Sequence, residues 1–146
     1  TRVGSYYPGF SGRARAPRKG TVTAFKVMAQ GPMTVTFKIV SVRNLSADKR
    51  FGQVKTVRVG PTVKINGPTQ QQLEDGISPT ETFKVRIPVK KGESVALDTT
   101  NNTAEYCSDG TPGQLLFSPR LRLGTGFRAS DGVGGCLMLV QAVLRY

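Results

Sequence analysis

The chain has no histidine and no tryptophan, and only two cysteines and nine acidic residues among its 146 positions. Without histidine, Ser-His-Asp and Cys-His catalytic arrangements and histidine-based metal sites are excluded, and the side chain best suited to proton transfer near neutral pH is missing. Two carboxylates would still suffice for glycoside hydrolysis. The candidates are Glu74 with Asp75, and Asp98 with Glu105 and Asp109. Adjacent acids in loops usually serve turns and solvent, and no tryptophan is present to stack on a sugar ring. The chain is therefore read as a non-enzyme, with no catalytic residue, metal site or cofactor assigned. No apolar run approaches the ~20 residues that span a bilayer, so no transmembrane segment is expected.

Against those nine acids stand 21 lysines and arginines, giving a formal net charge of +12. Such a surface tolerates polyanions, and the candidate partners are acidic polysaccharides, cell-wall polymers, nucleic acid and anionic headgroups. The basic residues are spread along the chain and alternate with apolar ones, as on the solvated faces of strands. Stacking on nucleic acid needs free aromatic faces. Phe25, Phe37 and Phe83 fall on apolar faces that serve a core, leaving Tyr6, Tyr7, Phe10, Phe127 and Tyr146. An acidic polysaccharide or cell-wall polymer is thus a more natural partner than nucleic acid.

The sequence begins at Thr1 with no initiator methionine and no apolar signal segment, as a processed, exported protein would. Export favours a bridge between Cys107 and Cys136, which would close a loop on the order of 30 residues and stabilise the fold by about 3 to 4 kcal/mol. Two buried thiols are the alternative. Asn44-Leu45-Ser46 and Asn101-Asn102-Thr103 fit the glycosylation sequon.

From Thr21 onward the dominant signal is period two. Met33, Val35, Phe37 and Ile39 alternate with Thr34, Thr36 and Lys38, and Phe83, Val85, Ile87 and Val89 alternate with Lys84, Arg86 and Pro88. Each run has one apolar and one polar face, the mark of a half-buried strand. Shorter runs recur at Val22 to Met28, Val54 to Val59, Val63 to Ile65, Val95 to Leu97 and Leu115 to Phe117. The last run, Cys136 to Leu144, is apolar enough to suggest the middle of a sheet. Turn signals separate the runs at Gly31-Pro32, Gly60-Pro61, Asn66-Gly67-Pro68, Lys91-Gly92 and Asp131-Gly132. Pro88 lacks an N–H donor, which predicts an edge strand or a bulge. Gln70 to Pro79 is the longest polar connection, and no long helix is expected.

The fold expected is all-β: an antiparallel, two-sheet, jelly-roll-like β-sandwich over residues 21–146, preceded by an extended basic N-terminal segment over residues 1–20. A chain of this length suffices for one self-supporting core. Asp98 to Glu105 concentrates oxygen ligands suited to a hard cation, but its spacing matches no known loop and it reads as a polar turn region. Gly124-Thr125-Gly126 and Gly132-Val133-Gly134-Gly135 precede no helical pattern and are read as hairpin turns, not phosphate cradles.

Three segments resemble a group of secreted actinobacterial β-sandwich surface domains of uncharacterised function. They are Ala16-Pro17-Arg18-Lys19-Gly20-Thr21-Val22-Thr23-Ala24-Phe25, Arg86-Ile87-Pro88-Val89-Lys90-Lys91-Gly92-Glu93-Ser94-Val95-Ala96-Leu97, and Leu137-Met138-Leu139-Val140-Gln141-Ala142-Val143. The resemblance implies an extracellular jelly-roll-like fold with a surface or matrix role, and no catalytic residue. Members of that group often continue into an acidic, calcium-binding repeat that this sequence lacks, so no metal function carries over.

The N-terminal segment holds five basic residues, no acid, four glycines and two prolines within Thr1 to Gly20. A stretch of that composition buries little by itself. Its apolar side chains Val3, Tyr6, Tyr7 and Phe10, with Arg13 and Arg15, form a candidate assembly segment. Open sandwiches have edge strands to which an extended segment of another chain can add. If each subunit donates its segment to the next, the contact propagates into a filament unless it closes into a ring. The leading reading is a secreted structural subunit, a homo-oligomer or polymer at the cell surface. A monomeric glycan- or polyanion-binding module is second, and an enzyme or a viral capsid jelly roll is third.

Overall fold

The computed structural model describes residues 2–4, 15–48, 51–100, 105–107, 114–134 and 136–146. Within them the chain is antiparallel β-structure with a single five-residue helix. Alternating apolar residues build the central ladders. Strand β2 (Gly20–Met28) pairs with β5 (Thr80–Val89). Strand β3 (Met33–Arg43) pairs with β4 (Gln53–Ile65) on one side and with β6 (Ser94–Thr99) on the other. Shorter strands complete the fold: β1 (Arg2–Gly4), β7 (Glu105–Cys107), β8 (Gln114–Leu116), β9 (Arg128–Ala129), β10 (Gly132–Gly134), β11 (Cys136–Met138) and β12 (Val140–Arg145).

One sheet has seven strands in the order β10-β8-β1-β6-β3-β4-β9, a second has three in the order β12-β2-β5, and β11 pairs with β7. The three-stranded sheet lies over one face of the seven-stranded sheet. Phe25 of β2 stacks on Phe37 of β3 with ring centroids 4.2 Å apart and planes 2° from parallel. Val22, Val27, Val35, Ile39, Ile65 and Leu97 fill the layer around them. Each such side chain, fully withdrawn from water, contributes roughly 1.5 to 3 kcal/mol. This is the two-sheet β-sandwich that period two predicts.

The seven-stranded sheet is apolar on its other face as well, where Val3, Val40, Val54, Ala96, Leu115, Phe117 and Leu121 form a second buried cluster. A register shift between Ile39 and Val40 accompanies two consecutive buried residues, one serving each cluster.

Three local expectations change. Gly60-Pro61 is not a turn: β4 runs through it, with the register moving from Thr36↔Thr62 to Lys38↔Val59. A Cβ on Gly60 would lie 2.9 Å from Ile87 Cδ1 and 3.1 Å from the Phe37 carbonyl oxygen, so only glycine lets β4 approach both. The final apolar run is not one central strand. It divides at Leu139 into β11 and β12, and β12 lies at an edge of the three-stranded sheet. The polar connection after Pro68 contains the helix α1 (Gln70–Glu74), started by a capping box in which Thr69 and Gln72 satisfy each other's backbone N–H. Pro88 does lie in an edge strand, β5, which pairs only with β2 among the described residues.

Candidate assembly interface

Val3 is fully buried, although it belongs to a strand of only three residues. That burial follows from where β1 lies. Arg2 and Val3 pair with Leu97 and Ala96 of β6, and Arg2, Val3 and Gly4 pair with Leu116, Leu115 and Gln114 of β8. Strand β1 is therefore interior to the sheet, and β6 and β8 are joined through it. Within its own chain the segment fills a slot between two strands.

The chain rejoins the described fold at Arg15. Ala16 donates its N–H to the Glu93 carbonyl at 2.8 Å and accepts from the Gly92 N–H at 2.8 Å. The turn that receives it is held in place by Glu93, whose buried carboxylate accepts from Arg58 Nη1 at 2.7 Å and from the Lys90 N–H at 2.7 Å. Gly92 occupies the left-handed region at φ 86°. Beyond it, Arg18 lies over the Tyr146 ring at 4.1 Å from its centroid. The segment is thus tied at both ends, to β6 by Val3 opposite Ala96 and to the turn preceding β6 by Ala16 against Glu93. Of the predicted assembly residues, Val3 is buried and Arg15 half-buried, while Tyr6, Tyr7, Phe10 and Arg13 lie outside the described residues.

A buried polar network closes one side of the slot's cluster. Lys38, 4% exposed, extends from β3 on the same face as Val40 and meets Asp98 of β6 with Nζ and Oδ2 2.5 Å apart. It also donates to the Leu121 carbonyl, to which Thr56 Oγ1 donates at 3.5 Å. These bonds fix the segment carrying Phe117 and Leu121 over the cluster that contains Val3. Asp131 holds the start of that segment, accepting from the Ser118 N–H at 2.7 Å, while its own N–H donates to Leu116 of β8 at 2.8 Å. The sequence places Asp98 at the head of the oxygen-rich stretch that runs to Glu105. In the structure its carboxylate faces Lys38, and no cluster of three or more potential metal ligands occurs among the described residues. Glu74 and Asp75 end the short helix, where their carboxylates accept from Gln70 and Gln71.

Cys107 and Cys136 are direct partners in the β7–β11 register. Antiparallel partners have Cα atoms about 4.5 or 5.5 Å apart, and both spacings fall in the range a disulfide spans. Phe127 and Tyr146, considered above as free stacking faces, are each covered by cations of the same chain. Arg43 lies 3.9 Å and Lys55 4.8 Å from the Phe127 centroid, and Arg18 covers Tyr146. In the sequon at Asn44, the side chain donates to Gln53 Oε1 at 3.0 Å, and the residue is left-handed at φ 53°.

Sequence reasoning singles out Val3 and names Asp98 as a loop carboxylate, but it misses the pairing of Asp98 with Lys38 and the part played by Leu121. A lysine in a strongly apolar strand, among Phe37, Ile39 and Val40, was the available signal, since a sheet with two buried faces leaves such a residue no solvent. No helix among the described residues is long and apolar enough to cross a membrane. The chain matches no family model, no curated protein and no solved structure.

Proposed function

We propose that the protein is a secreted, non-catalytic structural subunit that self-assembles through its N-terminal segment into an extracellular filament or surface layer. The observation that carries this reading is the burial of Val3 in a slot between β6 and β8. A segment whose composition buries little by itself supplies an interior strand, and such a strand is the type of element that neighbouring subunits exchange. The absence of histidine and the engagement of Asp98 with Lys38 agree with a structural role.

The test is the mass and shape of the full chain in solution, by light scattering and negative-stain microscopy, beside a Val3→Asp variant. Filaments or large oligomers that disappear in the variant support assembly through this segment. A monomer in both samples overturns it.

A second reading, a monomeric module for acidic glycans or cell-wall polymers, is favoured by the cluster of Arg43, Lys55 and Phe127 at the β3–β4 end. It predicts retention on an acidic polysaccharide matrix that falls steeply between low salt and roughly 0.15 M, where the screening length is about 8 Å. Retention should weaken when Arg43 and Lys55 are both replaced by glutamine.

A further inference from the structure

The proposed assembly leaves open where a neighbour's segment docks. Among the described residues β6 and β8 are bridged only by β1, so an empty slot would leave ladder groups unpaired on both walls and remove Val3 from the second cluster. What fills it must be a short antiparallel strand with an apolar residue opposite Ala96 and Leu115. Arg2–Gly4 of another copy meets that demand with the same hydrogen bonds and the same buried side chain. The within-chain and between-chain arrangements differ only in the connection.

The connection is longer than self-closure requires. Val3 stands opposite Ala96 and Ala16 is bonded to Glu93, three residues along, a separation of about 10 Å at the rise of a strand. Residues 5–14 supply ten residues to cross it, with a reach of roughly 33 to 36 Å when extended. Two or three residues would close the gap, and the surplus matches a crossing to an adjacent subunit.

We infer that the slot between β6 and β8 receives Arg2–Gly4 from a second copy of this chain, in the register Val3 opposite Ala96 and Leu115. This rests on the assembly reading above. Donor and acceptor surfaces differ, so the contact is heterologous and propagates from copy to copy.

The test mixes full-length chains that each carry one new cysteine: Val3→Cys with Ala96→Cys, and Val3→Cys with Leu115→Cys. In an antiparallel sheet a residue forms a hydrogen-bonded pair with one neighbour and a closer, non-hydrogen-bonded pair with the other. One of the two combinations therefore has Cα atoms about 4.5 Å apart, within disulfide range. After oxidation, peptide mapping locates the links, which separates them from any involving Cys107 and Cys136. Chains carrying both substitutions of a pair show that the folded slot permits the bond.

A link between position 3 of one chain and position 96 or 115 of another is the expected result, because neither chain can form it alone. Double variants that close within one chain, with no mixed link from either combination, overturn the inference. Filaments of the unmodified protein without a mixed link overturn the slot and leave assembly by another contact, whereas monomers without a mixed link overturn both.

Discussion

Lys38 Nζ lies 2.5 Å from Asp98 Oδ2 across β3 and β6, with side chains 5% and 14% exposed. Two opposite charges are thereby withdrawn from water beside the cluster that holds Val3. Removing one partner of such a pair is costly, whereas replacing both with apolar residues of similar size is often neutral. Lys38→Met is expected to lower stability by about 3 kcal/mol. The Lys38→Met, Asp98→Leu double variant should recover much of that loss in urea unfolding. A loss in the double variant equal to the sum of the losses in Lys38→Met and Asp98→Leu alone would show that the pair is not coupled.

Val3 offers a second test of the same region. Val3→Ala removes two buried methyl-sized groups from a fully enclosed site, which costs about 2 kcal/mol including the cavity left behind. The unfolding midpoint should fall accordingly. A change of a few tenths of a kcal/mol, within the range of ordinary surface substitutions, would contradict the burial.

Much of the sandwich was legible because its strands obey period two. Phe37 and Phe83, named from alternation alone, lie in the core, where the Phe37 ring centroid is 4.2 Å from that of Phe25 and 6.0 Å from that of Phe83. Pro88 announced its edge because a residue without an N–H cannot serve an interior ladder. The position of β1 was not legible, because three residues carry too little pattern to show which strands they join. Gly60-Pro61 misled for a related reason: its turn chemistry is that of a bulge, and the close approach of Ile87 that requires glycine is a tertiary fact. Lys38 escaped because its burial depends on a second apolar layer supplied by Phe117 and Leu121, more than seventy positions away in sequence.

The opposed register of Cys107 and Cys136 leads to a redox prediction. Protein prepared under oxidising conditions should be lighter by two hydrogens than the same sample after reduction, and peptide mapping should join these two positions within one chain. Reduction should lower stability by about 3 kcal/mol in the chain-entropy account. Two alkylatable thiols in the oxidised, unreduced protein would contradict the bridge.

Gly60 gives a test of the bulge in β4. Gly60→Val places its side chain against Ile87 and the Phe37 backbone, and such overpacking typically costs 1 to 3 kcal/mol, roughly. Pairing the change with Ile87→Ala should relieve part of the cost, since the Ile87 methyl is the nearest obstacle. If the two substitutions simply add in thermal unfolding, β4 does not approach β5 in this way.

The most direct test of assembly through the N-terminal segment is to titrate a synthetic peptide of residues 1–10 into the full-length protein and follow its mass distribution by light scattering at physiological salt. Free peptide should occupy acceptor sites without offering one in return, so large assemblies should shorten as it is added, while a peptide carrying Val3→Asp leaves them unchanged. A mass distribution indifferent to the native peptide, or a protein that is monomeric at every concentration before any is added, would contradict the account.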